Sequence, residues 1–244
     1  MSAQVSSTEV AESGAELGGV ADDLARASLA LARRFNAGAT MWCASSTWPF
    51  HAHHVAVEFV HPVIVGKRAL AALTVPGYDM VPTLRASVRT GDIICVLAPA
   101  DDVTVQDLMR RGQAWGVETL WIGHGARPPA GAADHVLWLD TPDPLQASEQ
   151  FVRIYHMLWE LVHVCFEHTG LLKPEEAECT EEVCITCSDE GRLSEVVEVE
   201  DDEAVVRTPD GEERIDISLV DRPHPGDLLL VHAGFAIGSG EAAR

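Results

Sequence analysis

The sequence predicts two unlike domains, a doubly wound parallel α/β sheet followed by a small antiparallel β-barrel. Three observations carry this reading. Over the first 170 residues, short apolar runs of strand character alternate with longer runs of helical period. After residue 190 the helical period gives way to short alternating segments separated by acidic or Gly/Pro turns. The charge also shifts: residues 172–244 hold 20 Asp/Glu and 6 Lys/Arg, a net of −14 out of the whole chain's −21.

The elements follow in order. Residues 1–16 are small and polar without period and read as a flexible tail. The amphipathic run 20–35 predicts a helix, 39–44 (ATMWCA) a buried strand, and the stretch holding HHVAVEFV a second helix. Strands are then predicted at 69–75, 92–98, 118–124 and 135–140, with a helix at 105–115 and a long apolar helix at 147–167. Strands apolar throughout their length are those of a sheet covered on both faces by helices. The first domain is placed at residues 17–170 and an acidic linker, LLKPEEAECTEEV, at 171–183. The barrel takes 184–244, with strand candidates LSEVVEVE, EAVVRT, ERIDISLV and DLLLVHAG.

Composition excludes several functions. A net charge of −21 repels phosphate backbones and anionic bilayers, so neither nucleic acid nor a membrane surface is an expected partner. The opening residues lack the basic start and apolar core of a signal peptide, which points to the cytoplasm. In that compartment clustered thiols are ligands or nucleophiles more often than bridges. Cys179, Cys184 and Cys187 form such a cluster. Four ligands are needed for a structural zinc site, and the barrel adds only His224 and His232. Spacing alone leaves open a Cys/His site with free positions and a chance Cys-x-x-Cys of inert thiols.

The C-terminal segments, read together, resemble the HypC/HupF family of NiFe-hydrogenase maturation chaperones, which are OB-like barrels. The resemblance rests on Cys184-Ile185-Thr186, Val196-Val197-Glu198-Val199, Ile215 through Val220, and the closing Gly226-Asp227 through Val231-His232-Ala233-Gly234-Phe235-Ala236-Ile237. It implies that Cys184 and His232 hold the iron that becomes Fe(CN)2CO; the second thiol, Cys187, is a further candidate ligand that the resemblance does not assign. It also implies two partners, a HypD-type maturation protein and the hydrogenase large subunit. Thiolate suits a soft dicyano-carbonyl iron, and imidazole suits iron generally. In the family the cysteine usually stands at residue 2; here it lies inside the chain. The usual Pro-Gly turn is replaced by Cys187-Ser188-Asp189-Glu190-Gly191.

Residues 17–168 resemble the SIS fold, in particular its phosphoheptose isomerase branch. The carriers are His54 and Glu58, a His-x-x-x-Glu pair on one helix face, the last helix Tyr155-His156-Met157-Leu158-Trp159-Glu160-Leu161-Val162, and Gly91-Asp92-Ile93-Ile94. His54, Glu58 and His156 are the candidate acid/base or metal set, and His51, His53, His61 and Cys43 crowd the same region. The alternative is a polar interface helix with residual histidines. The branch's usual Gln eight residues before the last-helix histidine is Ser148. The anion-binding loops differ most: Ala44-Ser45-Ser46-Thr47-Trp48 lacks glycines, and Asp101 and Asp102 stand where hydroxyl donors are usual.

The combined expectation is a hydrogenase maturation factor that carries or helps assemble Fe(CN)2CO, with a degenerate SIS domain as its oligomerisation scaffold and a possible metal in the SIS cleft. The last helix, apolar around more than one stripe, predicts a homo-oligomer. The alternatives are a sugar-phosphate isomerase or binder of the phosphoheptose isomerase type, and an assembly adaptor without iron.

Overall fold

A computed structural model describes residues 19–173 and 191–240. The tail at 1–16, most of the linker, and Cys179, Cys184 and Cys187 lie outside the described residues. The α/β domain contains α1 (Ala21–Asn36), β1 (Met41–Ser45), α2 (Pro49–Val60), β2 (Ala72–Pro76), α3 (Met80–Ser87), β3 (Ile93–Leu97), α4 (Val103–Ala114), β4 (Glu118–His124), β5 (His135–Leu139) and α5 (Pro144–Glu167). The barrel contains β6 (Arg192–Glu200), β7 (Glu203–Thr208), β8 (Gly211–Asp216), β9 (Leu228–His232) and β10 (Phe235–Ser239).

The five strands of the first domain are all parallel, in the order β2-β1-β3-β4-β5. Strand β3 is buried at every position, as its unbroken run IICVL requires. Helices α1, α2 and α5 cover one face: Leu31, Phe35, Phe59, Phe151, Tyr155 and Leu158 pack there on Met41, Cys43, Ile93 and Cys95. Helices α3 and α4 cover the other, with Leu84, Leu108 and Met109 on Ile94, Val96 and Trp121. Local chemistry sets the helix ends. Asp22 and Asp23 in the first turn of α1 and Arg33 and Arg34 in its last oppose the helix dipole. Asp143 caps α5 ahead of Pro144, its carboxylate accepting from Leu145 N at 2.9 Å. No helix among the described residues is long and apolar enough to cross a membrane.

The barrel closes in the order β10-β8-β7-β6-β9. Its pairings are antiparallel except for the closing one, where Phe235 meets Asp216 in parallel. Val196, Val206, Ile215, Leu229, Val231 and Ala236 fill the interior. The barrel seats on α3 and α4, the sheet face away from α1, α2 and α5. Leu193 and Leu228 join the apolar cluster beneath those two helices. Gly116, at φ 68, lets the backbones of the two domains approach: a Cβ there would lie 2.8 Å from Pro209 Cα.

Candidate functional site

Strand order reverses between β1 and β3, so the carboxyl ends of these strands form the crevice where open α/β sheets bind ligands. Helix α2 leaves the end of β1 with Pro49 in its first turn. It presents His51, His54 and Glu58 toward α5, which brings Ser148, Tyr155 and His156. His54 Nε2 lies 3.1 Å from Glu58 Oε1, and His156 Nε2 lies 3.4 Å from the same oxygen. One donor atom from each of the three side chains lies within 4.8 Å of the others. Glu58 is the most covered, at 18% side-chain exposure, against 40% for His54 and 46% for His156, which leaves one side of the cluster open.

A buried layer supports this cluster. Tyr155 Oη lies 2.7 Å from His54 Nδ1 and 3.4 Å from His51 Nδ1, while His51 Nε2 meets Ser148 Oγ at 2.9 Å. Burial, with His54 nearby, lowers the His51 pKa to about 4, so its ring is neutral at physiological pH. Burial and the Glu58 charge push the Tyr155 hydroxyl up to about 12, keeping it a phenol. The chemistry available is that of two imidazoles sharing one carboxylate: proton transfer, or the ligation of a divalent cation.

Of the residues expected from sequence, His54, Glu58 and His156 come together. His53 and His61 are exposed and outside the cluster. Cys43 is fully buried opposite Cys95, whose hydrogen bond, together with burial, holds the Cys43 thiol well above its usual pKa. Sequence reasoning missed Tyr155 and His51 as supports of His54; only their positions beside His156 and one turn before His54 hinted at the role.

The crevice itself is occupied by the chain's own groups. Asp102 caps α4, its Oδ1 accepting from Thr104 N at 3.0 Å and Val105 N at 3.1 Å. Its other carboxylate oxygen accepts from Ser46 Oγ. Ser45 Oγ donates to Leu97 O at 2.5 Å and accepts from Trp48 N at 2.9 Å. The Ser45 and Ser46 hydroxyls and the amides of Thr104 and Val105 are thereby engaged by the chain's own groups.

In the barrel, His232 is half-buried at the end of β9 and pairs with Phe235. Strand β6 runs antiparallel to β9 with Arg192 opposite Val231, so the chain enters the barrel beside His232. Exposed Phe235 and Ile237 lie on the adjoining strand. His224 stands apart on an exposed turn, 3.8 Å from Asp227.

Comparison with known proteins agrees with both halves. Residues 193–242 match the HupF/HypC family, a span that holds His232 and begins nine residues after Cys184. A phosphoheptose isomerase from Francisella tularensis superposes with a TM-score of 0.52 at 14% identity, covering 59% of this chain and 86% of that one. A phosphoheptose isomerase from Neisseria gonorrhoeae gives 0.51 at 15% identity, covering 64% of this chain and 95% of that one. No curated protein sequence matches the chain. Identities this low speak for fold and leave activity to the site. The chain thus joins an α/β domain with the fold seen in the phosphoheptose isomerases to a closed barrel that matches the HupF/HypC family over residues 193–242.

Proposed function

We propose that the chain is a cytoplasmic NiFe-hydrogenase maturation factor whose barrel holds the iron of the Fe(CN)2CO moiety as cargo, through Cys184 and His232, and passes it to the hydrogenase large subunit. The family match over the barrel, with His232 at the head of its closing hairpin, carries this reading. Cys184 and Cys187 stand seven and four residues before Gly191, and seven residues reach at most about 25 Å. Either thiol therefore has the reach to meet the imidazole at the barrel's entry. A HypD-type protein is the expected donor, and the α/β domain serves as the scaffold that brings copies together. Infrared spectroscopy on protein purified anaerobically after co-expression with a HypD-type partner tests the proposal. Cyanide and carbonyl stretching bands are expected; an iron-free protein without them would leave only the adaptor role.

A second site reading is favoured by the His54, Glu58 and His156 cluster. Two imidazole nitrogens and one carboxylate, open to solvent on one side, make a donor set that fits a zinc-like divalent cation with a free position. When bound, the cation would supply Lewis-acid chemistry at the cleft. Glu58 would contribute the charge, while His54 and His156 fix the geometry. Isothermal titration with zinc should show one site per chain that is lost in Glu58→Ala. This reading does not restore a sugar-phosphate isomerase, since the anion-binding groups beside it are already engaged by Asp102.

A further inference from the structure

Behind the His54, Glu58 and His156 cluster lies a layer of side chains built from Tyr155, His51 and Ser148. A histidine has two ring nitrogens, and a ligand is useful only if one is held away from the metal. We infer that Tyr155 is the positioning residue that makes His54 a ligand through Nε2, by occupying Nδ1 from the buried side. This inference rests on that cation reading.

The geometry is one-sided. Tyr155 is completely buried and its ring sits edge-on to His54, with centroids 5.0 Å apart. Its Oη lies 2.7 Å from His54 Nδ1, whereas Nε2 is turned to Glu58. Behind the phenol stand His51, also buried, at 3.4 Å and Ser148 at 2.9 Å from the far nitrogen of His51. The longer Tyr155 to His51 contact is the weak member of the series, and the short contact to His54 is the strong one.

The protons balance in both states. In one neutral arrangement without a cation, a ring proton on His54 Nε2 is donated to Glu58, while Nδ1 accepts from the Tyr155 hydroxyl. With a cation on Nε2, the ring proton sits on Nδ1 and is donated to Tyr155 Oη. The phenol hydrogen then turns toward His51 Nδ1, and His51 Nε2–H donates to Ser148 Oγ. Between the two arrangements only the position of the ring proton and the direction of the hydroxyl change. A phenol serves both arrangements because it donates and accepts. Helix α5 thus contributes two adjacent residues with different tasks, His156 facing the cation and Tyr155 facing its neighbouring ligand.

Full-length protein is titrated with zinc, comparing wild type with Tyr155→Phe, which keeps the ring and removes only Oη. The variant should bind zinc about 10–100-fold more weakly. Nitrogen-15 labelling of histidine adds a readout that a structural role does not move: in zinc-loaded wild type His54 should show metal on Nε2 and a proton on Nδ1. If wild type binds one zinc and Tyr155→Phe matches it within twofold, the positioning role is overturned while the cation site stands. If zinc sits on His54 Nδ1, the inference is overturned whatever the variant's fold. If wild type takes no zinc, the cation reading falls and the inference with it.

Discussion

Arg111 Nη1 donates to Glu195 Oε1 at 2.6 Å, joining α4 of the α/β domain to the first strand of the barrel. The carboxylate is 3% exposed and also accepts from Trp115 Nε1 at 2.9 Å and from the Arg85 guanidinium. Arg111 reaches on to Gly226 O at 2.7 Å. One glutamate therefore satisfies three donors of the α/β domain that lie 80 to 110 residues earlier in the chain. Removing a single partner of a buried charge group costs about 3–5 kcal/mol, because the others remain desolvated and unpaired. Glu195→Ala should accordingly release the barrel as a separate calorimetric transition below that of the α/β domain. A variant that still melts with the wild-type profile would mean that Leu193 and Leu228 hold the joint alone.

If the barrel carries iron as proposed, Cys184→Ala should abolish the cyanide and carbonyl bands and the appearance of mature hydrogenase, because a neutral imidazole alone is a weak anchor for soft iron. His232→Ala should reduce both without eliminating them, and Cys187→Ala should leave them in place. Loss in Cys187→Ala with retention in Cys184→Ala would transfer the ligand role to the second thiol.

How far the sequence could show these features depended on the range of each interaction. The parallel sheet was legible because burial on two faces is written into consecutive residues such as Ile93-Ile94-Cys95-Val96-Leu97. His54 and Glu58 were legible because i,i+4 neighbours share a helix face whatever surrounds them. Tyr155 was not, since its role depends on which way one side chain points toward a helix about a hundred residues earlier. Glu195 was hidden for a related reason: in Leu193-Ser194-Glu195-Val196 it occupies the position of an outward polar residue, and only the docked α/β domain makes that outside an interior. The carboxylate in the second loop was visible as a departure, but its occupation of the helix start appears only when Asp102 is placed at the head of α4.

Helix α5 buries Phe151, Ile154, Tyr155, Leu158 and Val162 against its own sheet, while Met157, Leu161 and Val164 stay half-exposed and Val57 of α2 is exposed. The barrel lies on the opposite sheet face, so copies meeting through α2 and α5 would leave their barrels outward. Light scattering at micromolar concentration should give at least twice 26.3 kDa, and Leu161→Glu should return it toward the single-chain value. A wild-type monomer would remove the scaffold role.

Acid sensitivity should centre on Glu118. His135 Nε2 at 2.9 Å from its Oε1, opposed by burial and reinforced by Arg34 at 2.8 Å from its Oε2, holds this carboxyl below its usual pKa. A depressed folded-state pKa adds stability above the unfolded value of about 4.3, and that stability is lost as pH falls through the folded value. The urea midpoint of wild type should therefore drop on going from pH 5 to pH 3. Glu118→Gln should start lower at pH 7 and decline less over the same interval. Parallel declines in the two proteins would assign the acid limb to other carboxylates.

The α/β domain should not turn over phosphosugars, although His54, Glu58 and His156 lie close enough together to act as an acid/base set. Enediol chemistry needs the substrate carbonyl held within hydrogen-bond reach of the base, and the charged phosphate end of a sugar phosphate is the group best able to supply that positioning. Here the leading amides of α4 are taken by the Asp102 carboxylate, and Ser46 is tied to the same group. A phosphate would have to displace one anion while facing Asp101 beside it. Each forfeited hydrogen bond to a charged group costs about 1.5–3 kcal/mol, so losing two or three removes both affinity and alignment. Incubation with sedoheptulose 7-phosphate should therefore give no product, and the sugar phosphate should not protect the protein against heat. Turnover that disappears in Glu58→Gln would reverse this conclusion and make the cleft an active isomerase site. An inactive cleft that nevertheless binds zinc through His54 would keep the cation site and separate it from sugar chemistry.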